Sequence, residues 1–161
     1  MSNMTSSSPG DSVAATLTRL VSHSVWANRK WIEFVYLEQS PPRRAEELLA
    51  HLVIGERVWF DRIAGMPQAR EMFQILPKNE LLQRLEENEH TFSSLIASRL
   101  NDLIYFKRGT GEEYHAYVID IIFHLITHGY HHRGQLPRHY IDRGIAYPNT
   151  DHINYLFECG L

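Results

Sequence analysis

Phe123-His124-Leu125-Ile126-Thr127-His128-Gly129-Tyr130-His131-His132-Arg133-Gly134-Gln135 places four histidines within nine residues of an apolar segment. A helix turns about 100° per residue, so directions can be counted from His128: His132 at about +40°, Gln135 at about −20°, His124 at about −40° and His131 at about −60°. His128 and His132 therefore share one face, a turn apart, with Cβ atoms ~5–6 Å from each other. Two imidazoles at that spacing can converge on one ion at the ~2.0–2.1 Å of a Zn–N bond. A thiol-free, carboxylate-poor set of this kind suits Zn, Ni, Cu or Fe rather than Ca or Mg. The residues around it, Tyr117-Val118-Ile119, Ile121-Ile122-Phe123 and Leu125-Ile126, are apolar nearly all round the helix, which predicts a buried helix. Buried imidazoles must be hydrogen-bonded or ligated, and a metal satisfies several at once.

Two ligands do not close a site. His51 is the best third candidate, because it falls on the apolar face of its own helix with Leu48, Gly55 and Val58. Gly55, unfavourable in a helix interior by ~1 kcal/mol, predicts a close approach by a neighbouring helix. His23 follows Ser22 on a more polar face, and His90 sits in the charge run Glu86-Glu87-Asn88-Glu89, so both are weaker candidates. Three histidines with an open position describe a catalytic centre better than a structural one. Other constellations carry less. His128 lacks the following glutamate of a zinc-protease helix. Glu87-x-x-His90 and Glu112-x-x-His115 have the spacing of di-iron carboxylate motifs, but Glu87 belongs to a solvated run and Glu112 to a helix start. Cys159 has no basic neighbour and reads as a bystander thiol. No phosphate-cradling glycine loop and no serine nucleophile elbow is present.

Four long helical patterns surround this stretch. They are expected over about 11–38, 43–64 and 78–100, and from a capping box at Thr110-Gly111-Glu112-Glu113 to beyond Arg133, disturbed at Pro137 and ended by Gly144. Leu103-Ile104-Tyr105-Phe106 is β-prone, as an extended turn or small hairpin ahead of Gly109 and Gly111. A short extra C-terminal helix is expected over about 151–157. The fold class is all-α. The Met66–Pro77 connection spans up to ~36 Å, against ~30 Å for a twenty-residue helix, so spacing alone allows either a crossover or an up-down-up-down bundle.

The 161 residues fit one domain, expected over 12–161, behind a Ser-rich tail at 1–11 read as disordered. Sixteen Lys and Arg against nineteen Asp and Glu give a net charge of −3, which argues against a nucleic-acid partner. No apolar run approaches the ~20 residues of a membrane span, and residues 1–12 lack the apolar core of a secretory signal. A single cysteine allows no intrachain disulfide, so a cytoplasmic location is expected.

His128-Gly129-Tyr130-His131-His132-Arg133-Gly134-Gln135 is similar to the H-x-x-x-H-R-G-Q signature of the DinB-like (DinB/YfiT) proteins. Trp26-Ala27-Asn28 resembles their first-helix pattern, and His51 with Glu56 and Trp59 their second-helix pattern; the resemblance covers about residues 12–158. It implies a four-helix bundle in up-down-down-up order, commonly a homodimer. It also implies one divalent metal, Zn or Ni in the first place and Fe or Mn after them, on His51, His128 and His132. The motif's ligand immediately precedes Arg-Gly-Gln, which selects His132 over His131. Characterised relatives of this kind include metal-dependent S-transferases that use low-molecular-weight thiols and a thiol-dependent maleylpyruvate isomerase. Two functions follow as expectations. One is an enzyme with a small-molecule substrate, a transferase activating such a thiol or a hydrolase activating water, with His124 as a weak candidate for proton transfer. The other is a non-catalytic metal-binding structural or stress-response protein. Asp120, one turn from His124, and Gln135 are candidates to orient ligand imidazoles. Arg133 reads equally well as a surface charge or a functional group.

Overall fold

The computed structural model describes residues 12–68, 71–107 and 110–161. The tail expected at 1–11 lies outside the described residues. The chain is mostly helical, with one small sheet: α1 (Val13–Val35), α2 (Arg43–Ile63), α3 (Lys78–Ser98), β1 (Leu103–Lys107), β2 (Glu113–Tyr117), α4 (Val118–Arg133), α5 (Arg138–Ile141) and α6 (His152–Cys159). No described helix is long and apolar enough to cross a membrane.

α1 begins where Ser12 Oγ accepts the Ala15 N–H at 3.0 Å. α2 ends one residue before the position expected, and Gly65 takes the left-handed φ of 68° that a side chain resists. α1 and α2 each pack on both α3 and α4. Trp31, Ile32, Leu48, Ile54, Phe92 and Ile122 fill the interior between them.

The expected capping box is corrected. Thr110 Oγ1 bonds the side chain of Glu112 at 3.2 Å, and Glu113 pairs with Lys107 across a β-hairpin. Local capping chemistry was outweighed by a period of two: Tyr114 and Ala116 turn inward while His115 and Tyr117 face solvent. The all-α class holds broadly, with this two-stranded sheet added to a mostly helical chain. α4 starts at Val118 with its first N–H groups donated to the carbonyls of Asp102 (3.0 Å) and Leu100 (3.1 Å), so backbone does the work of a side-chain cap.

α4 also stops at Arg133 instead of running on. Pro137 has no N–H to donate, and its ring would clash with the carbonyl four residues earlier. The helix is not buried all round. Ile121, Ile122, Leu125, Ile126 and Gly129 face the interior, whereas Phe123 is 56% exposed and His124 and His131 lie outward.

Candidate metal centre

α2 and α4 together build the site. His51 comes from the middle of α2 and is buried; His128 and His132 come from the last two turns of α4 and are half-buried. Their Nε2 atoms meet. His128 Nε2 is 3.3 Å from His51 Nε2 and 3.1 Å from His132 Nε2, and all three atoms lie within 4.8 Å of one another. No fourth His, Cys, Asp or Glu joins this group among the described residues.

These separations fit a cation. Two nitrogens ~2.05 Å from a tetrahedral ion stand ~3.3 Å apart. Hydrogen bonding alone does not account for the cluster. A neutral imidazole Nε2 either donates one proton or accepts through one lone pair, so His128 Nε2 cannot serve both neighbours well. An ion accepts all three lone pairs together.

The electrostatics favour those lone pairs. Burial lowers the pKa of His128 to about 4, helped by the neighbouring imidazoles, and lowers that of His51 to about 4, helped by His132 and Arg44 against the opposing Met72 carbonyl. His132 is lowered too, by burial first and by His131 and Arg44 after it, against a hydrogen bond with Gln135. All three are neutral at pH 7, the form that ligates.

The supporting contacts hold each ring. Gln135 Oε1 accepts from His132 Nδ1 at 3.4 Å, which leaves the His132 Nε2 lone pair turned to the centre, while Gln135 Nε2 donates to His131 at 3.0 Å. Phe73 stacks on His51 with centroids 4.3 Å apart, and the Arg44 guanidinium covers its ring at 4.8 Å. Phe73 sits in the irregular α2–α3 connection, where no periodicity could flag it. Beside His128, Trp59 meets both Phe106 and His124 edge to face, at 5.1 and 5.4 Å.

The remaining sequence candidates separate. His124 lies at the edge of the cluster, its centroid 5.6 Å from His128, with its pKa lowered by burial and then by Arg62. It makes no hydrogen bond with Asp120, which is exposed. His23 is not on a polar face: it is buried away from the cluster, bonded to the Thr150 carbonyl at 2.8 Å and to the Tyr130 hydroxyl at 2.7 Å. His90 is exposed in its charge run, and Glu87 and Glu112 are exposed as well. Gly55 does face His128, but an added Cβ would stand 3.7 Å from His128 Cε1, an ordinary contact, so the approach is less tight than expected.

Arg133 is neither a surface charge nor part of the cluster. It is buried, its Nη1 donates to Ser24 Oγ at 3.0 Å and Asn28 Oδ1 at 2.8 Å, and burial lowers its pKa to about 10 against the fields of Tyr130 and Glu56. Gly129 makes room for it: a Cβ there would stand 2.9 Å from Arg133 Nη1 and 3.2 Å from Ser24 Oγ. Glu56 is buried nearby in α2 and accepts from Asn88 Nδ2 at 2.8 Å. Burial raises its pKa to about 7, against the hydrogen bond from Asn88 and the charge of Arg133.

A model described as DinB family matches residues 14–158. No curated protein and no solved structure matches the chain.

Proposed function

The chain belongs to the DinB family, and on that premise we propose that it binds one divalent cation, Zn or Ni before Fe or Mn, on His51, His128 and His132. We propose further that it is a transferase that activates a low-molecular-weight thiol toward an electrophilic carbon. The convergence of three Nε2 atoms with no fourth protein ligand among the described residues carries this reading. Three protein ligands leave a tetrahedral ion one position for an exchangeable partner.

The chemistry such a cation supplies is Lewis acidity, which lowers the pKa of a thiol, or in a hydrolase of a water, that reaches it. The chain's own residues prepare that step. Burial keeps the three imidazoles unprotonated, so no proton competes for their lone pairs near neutral pH. Gln135 selects the His132 tautomer and Phe73 holds the His51 ring. Trp59 and Phe106 give the neighbouring wall an apolar character suited to the carbon part of a substrate. His124 stands at the edge of that wall, where burial keeps its imidazole neutral, so it has a lone pair free for the proton that a thiol gives up, though as a weakened base. The wider reading takes the four long helices as an up-down-down-up bundle, 12–161 as one cytoplasmic domain, and the molecule as a homodimer with a small-molecule substrate.

The test is metal content after purification without an affinity tag, followed by conjugation of a small thiol to a generic electrophile, with His128→Ala as control. About one equivalent of metal and turnover that follows its loading support the proposal. Tight metal with no turnover and no exchangeable ligand supports the non-catalytic reading, and no stoichiometric uptake overturns both.

A further inference from the structure

The stack that holds His51 ends in a charge. Arg44 and His51 both belong to α2, two turns apart and within about 20° of one another around the helix. The Arg44 guanidinium lies 4.8 Å from the Phe73 ring centre, and Phe73 lies 4.3 Å from His51. Stacking on a ring pins a guanidinium without taking up its N–H groups. Its one hydrogen-bond partner among the described residues is Glu47, whose Oε2 is 3.2 Å from Nη1, and Arg43 shares that carboxylate at 2.9 Å. The Arg44 side chain is 49% exposed, so its Nε–Nη2 edge is open to a solute.

No acid offsets this charge at the centre. Burial comes first in lowering the pKa of His51 and of His132, and Arg44 adds to it at both; no carboxylate among the described residues acts on any of the three ligand imidazoles. Three neutral ligands leave a divalent cation its whole charge, so a bound thiolate still leaves the centre positive. A thiol with a second negative group suits that field better than a neutral one. The span is short. Laid end to end, the two stacking contacts keep the guanidinium within ~11 Å of the His51 ring, two turns of helical rise. A carboxylate a few bonds from a sulfur covers such a distance.

We propose that Arg44 selects the co-substrate: a small thiol that carries a carboxylate, its sulfur at the centre formed by His51, His128 and His132 and its carboxylate on the Nε–Nη2 edge of Arg44. This selection rests on the thiol reading above and adds to it the residue and the group that give it specificity. Two parallel hydrogen bonds join a carboxylate to that edge, and Glu47, on Nη1, does not occupy it.

Mercaptopropionate and its neutral amide, mercaptopropionamide, are the probes. Both are titrated into the zinc-loaded full chain by calorimetry, and into the cobalt-loaded chain by its thiolate-to-metal absorption. The preference for the acid over the amide should fall about tenfold in Arg44→Gln, the worth of one charge-assisted pair. Comparing the two ratios cancels the difference in the thiols' own acidity. Arg44→Gln should keep its full metal content. Arg44→Lys should retain only part of the preference, because an ammonium lacks the fork, and it decides if Arg44→Gln does not fold. Arg43→Gln removes the same charge one residue away, at a side chain 81% exposed, and should leave the ratio unmoved. An equal ratio in the unaltered chain and Arg44→Gln, an equal fall in Arg43→Gln, or the same preference in metal-free protein overturns the role of Arg44 and leaves the thiol reading standing. Failure of both thiols to bind the loaded chain overturns the thiol reading along with it.

Discussion

Phe73 lies flat on His51, the two planes 2° from parallel. A ring stacked on a ligand imidazole restricts its rotation, so Phe73→Ala is expected to weaken metal affinity by about threefold to tenfold, the range of one aromatic contact. Its side is 43% exposed, so the melting temperature of the metal-free protein should barely move. Chelator competition and thermal unfolding of the same preparation measure both. An unchanged affinity would show that His51 is held by α2 alone.

His128 sits between the other two imidazoles. His128→Ala should abolish stoichiometric uptake and the rise in melting temperature that metal produces. A ligand at a hundred times its dissociation constant stabilises the native state by about 2.7 kcal/mol. Differential scanning calorimetry with and without metal reads that gap, and its survival in the variant would remove His128 from the site.

Acid should destabilise the metal-free protein. The unfolded chain takes protons on His51 and His128 near their ordinary 6.5, whereas the folded protein resists down to about 4. Their contribution is thus present above about pH 6.5 and lost as pH falls toward about 4. Metal should be released over the same window, because protons and cation compete for the same lone pairs. Denaturant midpoints and chelator-free dialysis across that range check the sign. A midpoint that climbs on acidification would contradict it.

Two glycines on the facing helices should behave differently. Gly129→Ala forces a Cβ against Arg133 and Ser24 and should cost about 1–3 kcal/mol. Gly55→Ala meets only ordinary contacts and should be neutral or stabilising by up to about 1 kcal/mol. Urea unfolding of both variants compares them directly, and equal destabilisation would mean that the packing around Gly129 relaxes.

These two positions also show where sequence reasoning succeeds and fails. The i, i+4 spacing of His128 and His132 is a local property of α4, so their shared face was legible before any fold was known. His51 was reachable because it stands on an apolar face. Arg133 could not be placed, since its burial depends on Ser24 and Asn28, more than a hundred positions away, and on the missing side chain of Gly129. His23 was misread for the same reason: its partners, Tyr130 and Thr150, come from the other end of the chain. The hairpin was half seen, because a capping signature at Thr110 competes with the alternation of residues 113–117 and only the pairing with β1 decides between them.

Glu56 should titrate in the opposite sense to the histidines. Its carboxyl keeps its proton in the folded state up to about 7, against 4.5 in the ordinary range. That contribution is complete below about 4.5 and lost as pH rises toward about 7. Glu56→Gln retains an acceptor for Asn88 and removes the titration. The variant's stability relative to the unaltered chain should therefore rise between about pH 5 and about pH 8. A constant difference across that interval would show that Glu56 does not change charge there.

His51 and His128 stand 77 positions apart in the chain. A cation gripped by both would clasp a circuit that takes in all of α3 and the hairpin, so any excursion parting α2 from α4 would have to break that grip first. Protease resistance of the segments inside the circuit would then rise and fall with the supply of metal, even where no substrate is turned over.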